Sequence, residues 1–242
     1  MKILAFDSTA KAASVAVCDD EKLLGLYNIE NGLTQSELLL PMAENLLKSL
    51  KLSFSDIDLL CAATGPGSFT GVRIGAALVK GLGFGRNLPC VSVSTLEELA
   101  ENITPLAGIL VPCMDARRNQ LYTATFKSNG KATERLTPDR AISIESLATE
   151  LSEYKGENIY LSGDGYYVAK RGLEALGIRI METPKLLITE NAYSCAMVAL
   201  RKYRVGEYTT DTAFSPSYLR LPQAERERIE KENSEKKENK NG

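Results

Sequence analysis

The sequence predicts an α/β protein built from two halves. Apolar, strand-like segments precede helix-like segments twice along the 242 residues, first within residues 1–104 and again within residues 105–190. This order favours a sheet with packed helices in each half. The length suits one large domain or two small ones. We therefore expect two subdomains that meet near Thr104–Pro105, and a C-terminal helix and segment, residues 191–222, that return to the first.

The first half opens with three apolar segments separated by short polar turns, a pattern typical of an antiparallel meander. Two further apolar runs, each followed by helix-like sequence, predict the remaining strands. The five predicted strands are Lys2–Phe6, Ser14–Cys18, Leu23–Ile29, Ile57–Ala63 and Pro89–Ser94.

The helix between the third and fourth strands has a clear start, because Thr34 and Glu37 match a capping box. Its apolar residues form two neighbouring stripes, which together are wider than one core-facing side requires. Either the helix is buried on two sides within its own domain, or one side faces a partner. The stripes are Leu39, Met42, Leu46 and Leu50, and beside them Leu40, Ala43 and Leu47.

Residues 64–75, TGPGSFTGVRIG, resemble a phosphate loop only superficially. A Walker A loop would need glycine at Pro66 and lysine at Val72, and the dinucleotide fingerprint would need glycine at Thr70. The segment is instead predicted to be a turn followed by a helix capped by Ser68.

The glycines of this segment recur at Gly67, Gly71 and Gly75, so they lie along one face of the helix. Glycine inside a helix destabilises it by about 0.5–1 kcal/mol relative to alanine. This loss suggests that a second backbone approaches closely on that face. Either this chain or a partner could supply that backbone.

The second half is predicted to begin with a hairpin around the turn DARRN, and strands and helices then alternate. The predicted strands are Gly108–Met114, Gln120–Lys127, Asn158–Ser162 and Ile178–Met181, and the predicted helices are Ile144–Tyr154, Tyr166–Leu176 and Asn191–Tyr203.

Composition excludes several function classes. The formal net charge of −2 gives no basic excess that would indicate direct nucleic-acid binding. The chain contains no histidine, which excludes Ser-His and Cys-His catalysis and histidine-ligated metal sites. Five widely spaced cysteines indicate buried free thiols. With neither a signal-peptide pattern nor a long apolar run, we expect a cytoplasmic protein without a membrane segment. Residues 223–242 are predicted to form a disordered, charged tail.

Several stretches together resemble the TsaB (YeaZ) family. They occur in order as ILAFDSTAKAASVAV, TQSELLLPM, ATGPGSFTGVRIG, MDARRNQLY, LSGDG and PSYLRLP, and span residues 1 to about 222. The resemblance implies an actin-like (ASKHA) fold of two related subdomains, each a mixed sheet with packed helices. It also implies a non-catalytic scaffold or activator of TsaD which, with the ATPase TsaE, supports threonylcarbamoyl transfer to adenosine 37 of tRNA.

The resemblance also implies a degenerate nucleotide cleft. The residues expected at this cleft are Asp7, Ser8, Thr9, Thr64 and Gly65. No tightly bound cofactor is expected, and ATP or ADP should bind weakly, at a partner interface, or not at all. The family often has histidine where this chain has Gln35.

A further implication of the resemblance is that the helices starting at Thr34 and Ser68 pair with the equivalent helices of another subunit. That subunit would be TsaD or, in isolation, a second copy in a homodimer, and tRNA would be reached only through the complex. The expected interface residues are Leu39, Met42, Leu46, Phe69, Gly71, Arg73 and Gly75.

Two other functions compete with this one. An active ASKHA phosphotransferase or ATPase would use Asp7 to position a metal-bound nucleotide, but the phosphate motifs are missing. A metalloprotease, suggested only by the family's older glycoprotease label, is disfavoured because histidine is absent.

Overall fold

The first half is organised around a five-stranded mixed sheet. The computed structural model describes residues 1–117 and 119–219. The strand order is β3-β2-β1-β4-β5. β1, β2 and β3 form the predicted antiparallel meander, whereas β4 and β5 run parallel to β1. The strands are β1 (Lys2–Asp7), β2 (Ala13–Asp19), β3 (Lys22–Ile29), β4 (Leu59–Ala63) and β5 (Cys90–Val93).

Helices cover both faces of this sheet. α1 (Gln35–Ser49) and α2 (Phe69–Gly83) pack on the face that carries Leu4 and Phe6. α6 (Ala192–Arg204) packs on the opposite face. Successive side chains of a strand point to opposite faces, so the continuous apolar run of β1 supplies both cores. The remaining helix of this half is α3 (Thr95–Asn102).

The second half contains the predicted hairpin within a six-stranded sheet. The register of β6 with β7 continues into β8, so β7 and β8 are one strand, interrupted at residues 124–125. The predicted strand Gln120–Lys127 is therefore present but broken. The strands are β6 (Gly108–Asp115), β7 (Gln120–Thr123), β8 (Phe126–Ser128), β9 (Thr133–Arg135), β10 (Arg140–Ser143) and β11 (Ile159–Ser162), and the helices are α4 (Ile144–Leu151) and α5 (Tyr166–Ala175).

One predicted strand of this half is wrong. Residues Ile178–Met181 do not form a strand. A single bridge joins Met181 to Tyr160 of β11. The short apolar run is consistent with a strand, but it extends the sheet by only that one pairing. Sequence pattern alone does not distinguish a complete strand from a single bridge.

The chain after α6 returns to the first sheet as an extended strap, residues 209–219. Thr209 pairs with Cys90 of β5, and the Ser217 amide donates to the Thr64 carbonyl at 2.8 Å. Lys80 of α2 holds the middle of the strap by donating to the carbonyl oxygens of Thr212 and Phe214, at 2.9 and 3.0 Å. The predicted charged tail, residues 223–242, lies outside the described residues.

All five cysteines are buried free thiols, as predicted. Within residues 1–117 and 119–219, no helix is long and apolar enough to span a membrane.

Candidate functional site

A cleft of about 760 Å³ lies between the two halves of the chain. Its walls are the turn after β1 at residues 9–11, the start of α2 at residues 66–70, the turn after β6 at residues 114–117, and the end of the strap at residues 217–219. Lys11 and Arg117 contribute positive charge to the lining, whereas Asp115 and Asp164 contribute negative charge. The cleft therefore has mixed polarity and is not a purely cationic phosphate site.

The five residues predicted to line a nucleotide cleft do lie near one another. Asp7, Ser8 and Thr9 follow β1, and Thr64 and Gly65 follow the adjacent parallel strand β4. Of these five, only Thr9 lines the cleft; the other four lie beneath its floor. The prediction that all five face the cleft is corrected on this point.

Asp7 is turned towards its own loop. The Asp7 carboxylate accepts the Thr9 amide at 2.9 Å and the Thr9 hydroxyl at 2.9 Å. Only 2% of the residue is exposed. Both carboxylate oxygens therefore hold the β1–β2 turn in shape, which is a structural use of an aspartate that was expected to face a nucleotide.

The glycines of α2 provide space for this turn. A Cβ atom at Gly71 would lie 1.8 Å from the Ser8 carbonyl oxygen, and one at Gly75 would lie 2.9 Å from the Ser8 hydroxyl oxygen. The Ser8 hydroxyl also donates to the Gly71 carbonyl at 2.9 Å. The second backbone thus belongs to this chain, and the prediction that Gly71 and Gly75 contact a partner is wrong.

The glycines before α2 serve the same packing. A Cβ atom at Gly67 would lie 2.4 Å from the Thr9 carbonyl oxygen. At Gly65, where φ is +114°, a Cβ atom would lie 2.6 Å from the Ser217 carbonyl oxygen. The Ser68 amide donates to the Thr9 carbonyl at 2.6 Å. Two loops of this chain therefore occupy the space around the glycine turn.

The predicted interface residues of α1 also face inward. Leu39, Met42 and Leu46 are 1–4% exposed and pack in the core between the sheet and the two helices. Side chains that are already buried in this way offer no surface to another subunit. The prediction that these three residues form the partner interface is corrected, whereas Leu40, on the other stripe, is 38% exposed.

The outward side of α2 is the face that remains available. It carries a stripe of exposed or half-buried residues at helical spacing, and a Cβ atom at Gly81 would meet no atom within 4 Å. We call these residues the α2 stripe: Thr70, Ile74, Ala77, Leu78 and Gly81.

Phe69 and Arg73 lie together at the edge between the cleft and the α2 stripe. The Arg73 guanidinium carbon lies 3.7 Å from the centre of the Phe69 ring. Its Nε donates to the Tyr218 hydroxyl at 2.8 Å, and the rings of Phe69 and Tyr218 are 5.0 Å apart. The strap thus closes on α2 through an aromatic–arginine contact. Tyr218 was missed by the sequence reasoning because it is 145 residues from Arg73.

Gln35 joins α1 to the β1–β2 turn. Its side-chain amide donates to the carbonyl oxygens of Ala10 and Lys11, at 3.0 and 3.4 Å, and the residue lines the cleft. Gln35 is therefore a contact between helix and turn in this chain.

Three buried carboxyl groups lie together below the cleft, and the sequence reasoning missed two of them. Burial raises the pKa of Asp7, even though hydrogen bonds from Thr9 act to lower it. Burial and the neighbouring charge of Asp7 raise the pKa of Glu98 well above its ordinary value. The same two causes raise the pKa of Glu190 to about 8. Across the part of the chain that the structure describes, no group of three potential ligands is arranged to hold a metal ion.

Comparisons with known proteins agree with this architecture. The family model described as "TsaD: tRNA N6-adenosine threonylcarbamoyltransferase" matches residues 34–228, well over half of the chain. The tRNA threonylcarbamoyladenosine biosynthesis protein TsaB of Bacillus subtilis is 28% identical over 230 residues, which cover 95% of this chain and 99% of that protein. The Escherichia coli protein of the same name is 37% identical over 132 residues, 52% of this chain and 55% of its own length.

A solved structure supports the same fold. YeaZ from Pseudomonas aeruginosa superposes with a TM-score of 0.74 at 23% identity, covering 90% of this chain and 99% of that one. This similarity shows that the chain has the fold of YeaZ, with two sheets covered by helices. The chain therefore belongs to the TsaD family of that model and, within it, to the TsaB (YeaZ) group of tRNA threonylcarbamoyladenosine biosynthesis proteins.

Proposed function

We propose that this chain is a non-catalytic subunit that docks on TsaD through the outward face of α1 and α2. With TsaE, the pair would support threonylcarbamoyl transfer to adenosine 37 of tRNA, and tRNA would contact this chain only within the complex. In isolation the same face would pair with a second copy as a homodimer. The α2 stripe is the observation that carries the proposal.

The α2 stripe has the properties of a helix-docking surface. Ala77 and Gly81 are small and exposed, so a partner helix could approach closely between the half-buried Ile74 and Leu78. α1 packs beside α2 and adds the exposed Leu40 to the same region of the molecule. Burying apolar area is worth about 25 cal/mol per Å², so such a face favours association.

The non-catalytic role is supported by the use of Asp7. In an ATPase of this fold the carboxylate would be free to act on a metal-bound nucleotide. Here both of its oxygens accept hydrogen bonds from Thr9, and the group is buried. The histidine-free sequence also lacks the commonest general base.

An ATPase or phosphotransferase remains the second candidate because the cleft is large and carries Lys11 and Arg117. Against it, the amide of Ser68, which a phosphate at the start of α2 could otherwise contact, already donates to the Thr9 carbonyl. We expect weak or undetectable binding of ATP and ADP in calorimetry, with or without Mg²⁺. Micromolar affinity with turnover by the purified chain would favour the second candidate.

The experiment that tests the proposal is reconstitution. Purified TsaD, TsaE, tRNA, ATP and threonylcarbamoyl donor would be assayed with and without this chain, and formation of threonylcarbamoyladenosine measured. The proposal predicts modification only when the chain is present, together with co-purification of the chain and TsaD. Equal modification without the chain would contradict it.

A further inference from the structure

Three buried carboxyl groups from three separate segments lie beneath the cleft. Ser14, which pairs with Asp7 across β1 and β2, accepts the Ala192 amide at the start of α6, and the Thr95 amide of α3 donates to the Gly65 carbonyl at the end of the neighbouring strand. Asp7 ends β1, Glu98 lies on α3, and Glu190 lies two residues before α6. Each residue is at most 2% exposed. Asp7 is close enough to Glu98 for a hydrogen bond between the two side chains.

The groups around this cluster do not neutralise its negative charge. Glu98 is faced by Asp7, by Glu190 and by the Cys195 thiol of α6, while Glu190 is faced by Asp7 and Asp164. The largest influences on the pKa values of Glu98 and Glu190 are burial and neighbouring acidic groups, and the nearest cation named at this region, Lys202, acts on the Cys195 thiol. Both oxygens of Glu98 and one of Glu190 lack a donor in the described part of the chain. Buried carboxylates without cations or donors are strongly disfavoured, so the group must retain protons.

Protons satisfy the cluster in a simple way. A protonated Glu98 can donate its hydroxyl hydrogen to the Asp7 carboxylate, which converts a repulsive pair into a hydrogen-bonded one. Asp7 then remains the acceptor for the amide and hydroxyl of Thr9. Two neighbouring carboxyl groups that share protons in this way titrate as a unit.

The cluster is connected to both halves of the chain. Through Thr9 it holds the β1–β2 turn, and Ser8 of that turn contacts Gly71 of α2. On the other side, Glu190 lies near Asp164, which is in the loop after β11 and lines the cleft. A change in the charge of the cluster would therefore act on the cleft floor and on the contact that positions α2.

We propose that Asp7, Glu98 and Glu190 form a proton-sharing cluster that holds the β1–β2 turn against α2, and that its ionisation in mildly alkaline solution loosens this contact. The proposal concerns the chain itself and does not depend on the identity of its partner.

The direction of the pH effect follows from Glu190. Its pKa is 4.5 in the ordinary state and about 8 in the folded protein. Because the folded-state pKa is raised, the stabilising contribution is complete below pH 4.5 and is lost as the pH rises towards 8. Glu98 acts in the same direction, because its folded-state pKa is also raised.

The test is the stability of the full chain between pH 6 and pH 9, with hydrogen exchange of residues 8–12 and 68–75 corrected for intrinsic rates. As the pH rises, the midpoint of wild-type unfolding should fall, and the protection of backbone amides in both segments should decrease. Glu98→Gln and Glu190→Gln cannot ionise, so each should flatten this dependence. Glu174→Gln, at an exposed position of α5, should keep the wild-type dependence.

Two results would overturn the proposal. One is a wild-type pH dependence that survives in both glutamine variants. The other is measured on the wild-type chain, so it does not depend on whether the glutamine variants fold. Carboxyl ¹³C titration by NMR should show Glu190 titrating near pH 8 and Glu98 titrating well above its ordinary value, and ordinary titration near pH 4.5 for both would exclude the cluster.

Discussion

Gly71 and Gly81 lie on the same helix, and we expect their replacement by alanine to change the stability of the fold in opposite directions. At Gly71 the new Cβ atom would lie 1.8 Å from the Ser8 carbonyl oxygen and 3.0 Å from its carbon. These are backbone atoms, which cannot rotate away, so the β1–β2 turn or α2 must move. At Gly81 the new atom meets nothing within 4 Å.

The magnitudes follow from this difference. Overpacking costs about 1–3 kcal/mol, and a backbone clash of this size belongs at the upper end. Alanine recovers about 1 kcal/mol through its higher helix propensity. We therefore expect Gly71→Ala to lower the free energy of unfolding by about 2 kcal/mol, and Gly81→Ala to raise it by about 0.5–1 kcal/mol.

Urea unfolding at pH 7, followed by circular dichroism because the chain has no tryptophan, measures both variants. The two should differ by about 3 kcal/mol at a low protein concentration where the chain is monomeric. The reasoning would be refuted if Gly71→Ala were as stable as the wild type, since the β1–β2 turn could then not be packed against α2.

Two further variants test the contact between the strap and α2 and the ion pair between α3 and α6. Lys80→Met removes the donor to Thr212 and Phe214, and should lower the free energy of unfolding by about 1–2 kcal/mol and speed cleavage of the strap in limited proteolysis; unchanged cleavage would argue against this anchor. Burial alone would raise the pKa of Glu97, but its hydrogen bond and ion pair with Lys202 hold that pKa below the ordinary value. Because a lowered pKa stabilises the fold above the unfolded-state value, Glu97→Gln should lose about 1 kcal/mol at pH 7. This loss should shrink as the pH falls below the ordinary value of 4.5 and the carboxyl group becomes protonated, and an equal loss at low pH would contradict the assignment.

Much of the fold could be predicted because its signals are local. The apolar segments of the meander have the right length and turns, and β1, β2 and β3 follow them closely. Ser68 was predicted to cap α2, and its hydroxyl oxygen accepts the Gly71 amide at 3.2 Å. A cap, a turn or an apolar run depends on residues within a few positions, so one sequence is enough to identify it.

The candidate site was less predictable because it depends on contacts between distant residues. The four-residue spacing of glycines indicates that a backbone comes close, but does not identify it. In this chain it is the Ser8 turn, 63 residues before Gly71. A similar limit applies to α1, since both of its stripes are apolar and only the packed structure shows that Ala43 and Leu47 are buried with Leu39 whereas Leu40 is exposed. Glu98 and Glu190 look like ordinary surface residues until α3 and the segment before α6 bring them to Asp7.

The central claim, that the α2 stripe is the docking face for TsaD, is tested most directly by measuring TsaD affinity for two matched variants. Gly81→Arg places a long charged side chain in the stripe, and Ala175→Arg places the same side chain at an exposed position of α5. The account predicts that Gly81→Arg weakens binding at least tenfold, about 1.4 kcal/mol, while Ala175→Arg binds like the wild type and both remain folded. Wild-type affinity for Gly81→Arg would contradict it.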